Sequence, residues 1–356
     1  MKQPTTIILG ACIAAAVVFN VRGQNPGAIQ QVDSFQQRQQ LGLTPASYKE
    51  GDSAPELYPG ESGDVGPQSV LKIKPRKTLF EAMADVQYFY TDNMFLYDHD
   101  KKGADVLVST AQFALAPTPY ELGGGQFAPR LGYRQQWFDF GLADSGEQVP
   151  VHVFNGTNSV NKLVHLNDFD FNVQTVFTDG RWTRGHWTVE AGFDFTRLLS
   201  TSDYDEFYKE YVPRWGVQRN FSFSEKMALS VGYAGDYRFT DVNVYSTSAT
   251  VTTGSQNFND RTDQSFFAVY TQYLCQHAYL QPYYQFKYTH FTQEDRNDYL
   301  NSLGLSLNWI VCPNCALRGF IGYDINHSVG SSAAGFGFQG YHQLSAGGGV
   351  NVVFRF

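Results

Sequence analysis

Leu303-Gly304-Leu305-Ser306-Leu307-Asn308-Trp309-Ile310-Val311 decides the fold class of this chain. Leu303, Leu305, Leu307, Trp309 and Val311 share one parity, and Gly304, Ser306 and Asn308 share the other. A period of two places alternate side chains on opposite faces of an extended strand, so one face here is apolar and the other polar. Outward from it, Leu317, Ile321, Tyr323 and Ile325 oppose Arg318, Gly322, Asp324 and Asn326, with Phe320 out of pattern. In the same way Phe169, Phe171, Val173 and Phe177 oppose Asp170, Asn172 and Gln174, which predicts an apolar outer face there too.

From about Thr78 onward such runs are bounded by Gly, Asn, Asp and Pro clusters, and they number twelve. The expected spans are 78–92, 104–116, 126–142, 164–178, 184–199, 209–221, 227–240, 263–274, 278–291, 299–311, 315–327 and 340–356. Each exceeds the roughly 9 to 11 tilted residues that cross a bilayer as a strand. Their connections alternate in length. Asp179–Thr183, Ser222–Lys226, Cys275–His277 and Cys312–Asn314 are short, with a longer turn around Gly123-Gly124-Gly125, whereas Asp144–Asn161, Asp241–Thr262 and Ser328–Gln339 are long. Short turns at one end and long loops at the other are the habit of transmembrane barrels. The expectation is an all-β, antiparallel, up-and-down transmembrane β-barrel of about 12 strands. A β-sandwich would also alternate, but soluble strands usually run about 5 or 6 residues. Trp187, Tyr273, Trp309, Phe354 and Phe356 toward strand ends, with Tyr237, Phe239 and Tyr288 toward the outer ends, suit two aromatic girdles.

Composition agrees. Aromatic residues make up 16% and charged residues 17% of the chain, at a mean hydropathy of −0.32, so apolar surface is spread in alternation rather than in blocks. A net charge of −8 with no basic stripe excludes a nucleic-acid partner.

Met1–Thr6 carries one cation, Lys2, before the uncharged run Ile7–Phe19, and Val21-Arg22-Gly23 supplies small residues for cleavage. Residues 1–23 read as a signal peptide, with Leu9-Gly10-Ala11-Cys12 as an alternative lipobox. Residues 24–75, rich in Gln, Pro, Gly and Ser, read as a flexible periplasmic leader, with a plug formed by Glu56–Leu71 as the sharper alternative. Residues 76–356 form the barrel.

The last strand ends Val350-Asn351-Val352-Val353-Phe354-Arg355-Phe356, apolar in alternation up to a terminal Phe. It resembles the C-terminal recognition strand of bacterial outer-membrane barrels, and Tyr90-Thr91-Asp92-Asn93-Met94-Phe95 resembles the opening strand of β-barrel porin families of Gram-negative bacteria. The resemblance implies an outer-membrane location, contact with outer-membrane lipid, and insertion by the assembly machinery with Phe356 as its signal. It supplies no solute, cofactor, metal or catalytic residue.

Parity assigns the lumen charges. Asp168, Asp170, Glu190 and Asp194 make an acidic arc, Lys287, Arg318 and Arg355 a basic one, and Arg214, Asp236 and Arg238 lie between. Facing arcs would set a transverse field that selects polar or charged solutes; the alternative is that these charges pair across strands and fill the barrel. Cys275, Cys312 and Cys315 all fall at short turns in an oxidising compartment, so a disulfide is expected, either within Cys312-Pro313-Asn314-Cys315 or from Cys275 to that hairpin. A redox or metal pair would need further ligands or a βαβ setting that the pattern lacks. No Gly-x-Ser-x-Gly elbow accompanies His165, His290, His327 and His342, so an outer-membrane hydrolase is the weakest reading. The expected function is a porin-like channel for passive diffusion of small polar solutes; the alternative is a structural or surface-binding barrel with a filled lumen.

Overall fold

The computed structural model describes Ala28, Gln31–Asp33, Phe35 and residues 78–356, except 99–100, 144–147, 155–158, 202–203, 243–256, 258 and 332–339. The signal-peptide reading of 1–23 and the plug reading of Glu56–Leu71 lie outside the described residues.

Fifteen strands follow one another: β1 (Phe80–Thr91), β2 (Ala104–Leu115), β3 (Tyr120–Leu122), β4 (Gly125–Phe140), β5 (Gln148–Phe154), β6 (Ser159–His165), β7 (Phe171–Arg184), β8 (Trp187–Ser200), β9 (Glu206–Ser224), β10 (Met227–Val242), β11 (Arg261–Cys275), β12 (Ala278–Phe291), β13 (Asp295–Cys312), β14 (Cys315–Ser331) and β15 (Tyr341–Arg355). Twelve of them pair antiparallel with their neighbours in a ring, β2-β1-β15-β14-β13-β12-β11-β10-β9-β8-β7-β4, which β2 and β4 close. Closure leaves no barrel strand with an unpaired edge, the condition for a sheet to lie in hydrocarbon. The seam is tied to the last residue: Phe356 N donates to Phe80 O at 3.0 Å and Phe80 N to Phe356 O at 2.9 Å. β3 extends β4 downward as a flap, and β5 and β6 form a hairpin of their own above the opposite rim.

One rim carries two-residue turns, at 185–186, 225–226, 276–277 and 313–314. In the β3–β4 turn, Gly123 and Gly124 stand at φ +60° and +75°, which a primed hairpin turn requires at both central positions. The other rim carries the longer connections, apart from a short link at 292–294.

The outer surface is apolar. Val86, Leu131, Val176, Phe193, Val231, Leu303, Leu305, Leu307, Ile321 and Ile325 are all exposed there. A contiguous belt of this kind is not tolerated by water and matches the lipid-facing band of a transmembrane barrel. Trp187, Trp309, Phe354 and Phe356 are exposed near the short-turn rim and Phe239 toward the other, as aromatic girdles require. Tyr273 departs from that expectation. It packs on the buried Tyr279, with ring centroids 5.6 Å apart, on the inner face.

Two further expectations are corrected here. Asp179–Thr183 is strand rather than turn, because β7 runs on to Arg184 and its polar residues answer a charged lumen. The face of β7 is also reversed: Phe171, Val173, Thr175 and Phe177 are buried inward while Val176 and Thr178 face out. Inside, an apolar layer fills the half nearer the long loops. Val106, Val108, Phe138, Phe140, Phe171, Val173 and Leu198 pack together, with Phe138 and Phe171 stacked at 4.7 Å. Buried apolar layers of this kind stabilise by about 25 cal/mol per Å² removed from water.

Candidate functional site: the lumen

The lumen wall is built from the inward parity of each strand. Below the apolar layer it is lined by charges. Arg130 on β4 forks onto Asp179 on β7, with Nε to Oδ1 and Nη2 to Oδ2 both at 2.9 Å. Arg214 on β9 donates to Asp179 Oδ2 at 3.2 Å, to Asp194 Oδ1 at 3.2 Å, and to Glu190. Gly192 leaves the room for that guanidinium, since a Cβ there would stand 3.1 Å from Arg214 Cζ. Arg181 pairs with Glu190 at 3.0 Å, Arg318 with Asp85 at 3.3 Å, and Arg355 with Glu81 at 2.9 Å. Arg134, two inward positions above Arg130, has no ion-pair partner among the described residues, and its Nε is buried without a hydrogen bond.

Between Arg130 and Arg134 sits Gly132, whose register partner is Phe177. The Phe177 ring lies over the glycine, and a Cβ there would meet its Cζ at 2.5 Å. Both guanidinium carbons face this ring, at 5.9 and 6.0 Å from its centroid. The two cations are thus spaced by one aromatic plate, a geometry in which each gains from the ring's negative face.

A second charged group lies on the β9–β11 wall beside the apolar layer. Arg238 contacts Glu210 at 3.2 Å, Asp236 at 3.1 Å and Asp263 at 3.2 Å, and Arg261 contacts Asp263 at 3.4 Å. The carboxylate of Asp33 spans both arginines, accepting from Arg238 Nη1 at 2.6 Å and from Arg261 Nη2 at 2.8 Å. Asp33 belongs to a helical stretch whose Ala28, Val32 and Phe35 are buried in the apolar layer, Phe35 edge-on to Phe138 at 5.5 Å. Gln31 Nε2 donates to the Met94 carbonyl. Further round the wall, Arg296 pairs with Asp298, and Lys287 is buried on β12.

Of the residues predicted from sequence, Glu190, Asp194 and Arg214 meet in one network, and Asp236 and Arg238 in another. Lys287, Arg318 and Arg355 stand on the inward parity of other strands. Asp168 and Asp170 do not join them. Both lie at the 3-10 helix Leu166–Phe169 above the rim, where Asp168 Oδ2 accepts from His165 N at 3.2 Å and Asp170 Oδ1 from Phe140 N at 2.8 Å. Burial raises the Asp170 carboxyl to about 7, with Asp139 and Asp168 nearby adding to the effect and the Phe140 N–H opposing it. Of the two arrangements expected, facing acidic and basic arcs or pairing across strands, the wall shows the second. Opposite charges stand on neighbouring strands and pair there, because a charge in a confined lumen is stabilised by the nearest partner. Glu81, Asp85, Arg130, Arg134, Asp179, Arg181, Glu210, Arg261 and Asp263 escaped the sequence reading. Extending parity to every strand would have found most of them, but Asp179 and Arg181 were hidden in a supposed turn.

The cysteines are corrected as well. Cys275, Cys312 and Cys315 are free thiols. Cys275 ends β11 and Cys312 ends β13, with β12 between them, so two strand spacings of about 4.8 Å separate their backbones, beyond the ~4.4 to 6.8 Å reach of a disulfide. Cys312 and Cys315 are register partners across the Pro313-Asn314 turn.

The chain matches no protein-family model and no curated protein sequence. Among solved structures it is similar to the beta domain of the Bordetella autotransporter Brka, at 10% identity and a TM-score of 0.45 over 78% of this chain and 100% of that one. It is also similar to an outer-membrane channel from Pseudomonas putida F1, at 10% identity and a TM-score of 0.43 over 78% and 96%, and to the KdgM porin in complex with disordered oligogalacturonate, at 11% and 0.35 over 76% and 99%.

Proposed function

We propose that this chain is a bacterial outer-membrane channel for small polar solutes, whose path is the charge-lined lumen. The observation that carries this reading is the inversion of polarity across the wall. The outer face is an apolar belt, and the inner face below the apolar layer is a set of partly exposed ion pairs, Arg130–Asp179, Arg181–Glu190 and Arg214–Glu190 among them. Water-accessible charges inside a lipid-facing barrel make a route for solutes that the bilayer excludes. Insertion by the outer-membrane assembly machinery, with the C-terminal strand through Phe356 as its signal, belongs to the same proposal. The proposal is of a channel rather than an enzyme.

One observation favours a second reading, a barrel with a filled lumen and a structural or surface-binding role. The stacked Phe138 and Phe171, with Phe35 against them, occupy the half nearer the long loops. The two readings separate in a planar bilayer with refolded mature chain, its folding shown by heat-dependent gel mobility. Discrete conductance steps support the channel. Silence both from that chain and from a chain lacking residues 24–75 supports the filled barrel.

A further inference from the structure

Arg134 stands apart from every other lumen-facing arginine of the described residues. Arg130, Arg181, Arg214, Arg238, Arg261, Arg296, Arg318 and Arg355 each hold a carboxylate. Arg134 holds none, and its Nε–H is buried with no acceptor. A partly exposed guanidinium with one N–H buried without an acceptor and no carboxylate beside it is costly to keep, and a chain keeps such a group where something completes it.

Its surroundings say what that is. The carboxylates within reach are already taken, Asp179 by Arg130 and Arg214 together, and Asp194 by Arg214. The ion pairs around it match Arg130 with Asp179, Arg214 with Asp194, Arg181 with Glu190 and Arg355 with Glu81, which leaves Arg134, across the Phe177 ring from Arg130, as the cation in excess. In register with Arg134 stand Gln112 on β2 and Thr175 on β7, both polar and buried, with Thr175 Oγ1 3.2 Å from Thr196 Oγ1. The site has a floor open to solvent and a closed roof. Below it the Arg181 side chain is 48% exposed, whereas the next inward residues above it on β4, Gln136, Phe138 and Phe140, are 0%, 1% and 2% exposed. A ligand therefore enters from the short-turn rim and stops beneath the apolar layer.

We propose that Arg134 is the centre of an anion-binding site in the lumen, and that its ligand is a small carboxylate-bearing solute. The planar pair of Nη groups matches the two oxygens of a carboxylate, and the polar Gln112 and Thr175 stand beside Arg134 on the neighbouring strands. This site deepens the channel reading and rests on it in one respect, that the lower lumen admits solutes.

The test is isothermal titration calorimetry on the refolded full-length chain with succinate as the probe, and with acetate, inorganic phosphate and glycerol in parallel arms. Saturable succinate binding is expected, weakened at least about tenfold by Arg134→Gln and to a lesser degree by Arg134→Lys, as the loss of a charge-assisted bidentate contact implies. Arg197→Gln, on the outward parity of β8, leaves it unchanged. Without ligand, Arg134→Gln should melt no lower than the unaltered chain, since it removes an unpaired charge; a merely structural arginine would melt lower. Equal binding by Arg134→Gln, no saturable binding of any anion, glycerol binding as well as succinate, or a lower melting point in Arg134→Gln overturns the proposal. Phosphate binding tighter than succinate overturns the carboxylate assignment. A chain that conducts in a bilayer but does not bind succinate loses this site and keeps the channel; one that binds succinate without conducting keeps the site and loses the channel.

Discussion

The ring of Phe177 lies directly over the backbone of Gly132, so close that a Cβ at residue 132 would stand 2.5 Å from Phe177 Cζ. The pair separates Arg130 from Arg134 and sets the spacing of the lower lumen. Gly132→Val must push the ring off the wall and bring it against the guanidinium groups. Overpacking of this kind costs about 1 to 3 kcal/mol. The expected result is a lower urea midpoint for Gly132→Val, restored only in part by Phe177→Ala in the double variant, because a Cβ at residue 132 would also stand 2.6 Å from the Phe113 backbone oxygen. Additive losses would mean that the two residues do not act as a unit.

Leu305 faces outward and Gln218 faces the lumen. Leu305→Arg should lower the folding free energy in lipid by about 2 to 4 kcal/mol, the penalty for a cation near mid-bilayer. Gln218→Arg, on a partly exposed inner position, should fold nearly as well as the unaltered chain. Asn308 is not a neutral control, because it is buried and donates to Gln281 Oε1 and Ser306 Oγ at 3.2 Å. Equal yields of folded Leu305→Arg and Gln218→Arg on refolding would refute the face assignment.

Those two positions also show what sequence reveals. In β13 the apolar parity could only face lipid, and the structure places Leu303, Leu305 and Leu307 outward with Ser306 and Asn308 inward. Twelve barrel strands and the alternation of turn lengths were legible for the same reason. Period two identifies two faces but does not say which is wet. Where the lumen is itself apolar, as around Phe171 and Val173, both faces of a strand read alike and the sign is lost. Asp179 and Arg181 failed differently. Their polar neighbourhood imitates a turn, and only the partners Arg130, Arg214 and Glu190 on other strands explain it. Arg134 was legible as an inward cation once β4 was given its parity, but its lack of a partner is a property of the folded wall.

Asp170 makes the long-loop rim sensitive to pH. Its folded carboxyl is raised to about 7 from an ordinary 3.8, so folding favours the protonated form. The sign follows: its contribution is fully present below about pH 4 and is lost as pH rises through about 7. Hydrogen exchange at the β4–β7 rim, read at Phe140 N–H, should be slower at pH 5 than at pH 8, after correction for intrinsic rates. Asp170→Asn, which keeps an acceptor for Phe140 N and cannot ionise, should flatten that difference. An unchanged difference in Asp170→Asn would assign the effect elsewhere.

The thiols give a prediction about chemistry at the short-turn rim. Cys275 and Cys312 are exposed and Cys315 partly so, all unbridged. A membrane-impermeant maleimide should modify folded protein in the absence of reductant, with Cys275 and Cys312 faster than Cys315. Cys275→Ser should leave non-reducing gel mobility unchanged, because Cys275 stands too far from the Cys312–Cys315 hairpin to bridge to it. A mobility change in that variant would show that the hairpins move together in the membrane.

Asp33 joins the chain's N-terminal side to the far wall of the barrel, by contacts of 2.6 Å to Arg238 and 2.8 Å to Arg261. Each arginine keeps another carboxylate when Asp33 is removed, Glu210, Asp236 and Asp263 for Arg238 and Asp263 for Arg261. The barrel wall should therefore survive Asp33→Ala, while the helical stretch loses its ionic anchor and keeps the packing of Ala28, Val32 and Phe35 and the hydrogen bond from Gln31 to the Met94 carbonyl. Losing a charge-assisted contact of about 1.5 to 3 kcal/mol shifts a docked–undocked equilibrium by roughly tenfold or more. If that stretch limits the lumen, Asp33→Ala should open more often in a planar bilayer at unchanged step size, and Asp33→Ala/Phe35→Ala more often still. The chain lacking residues 24–75 should show larger steps. Open times and step sizes that match the unaltered chain in all three variants would place the resistance to flow in the Phe138–Phe171 layer alone.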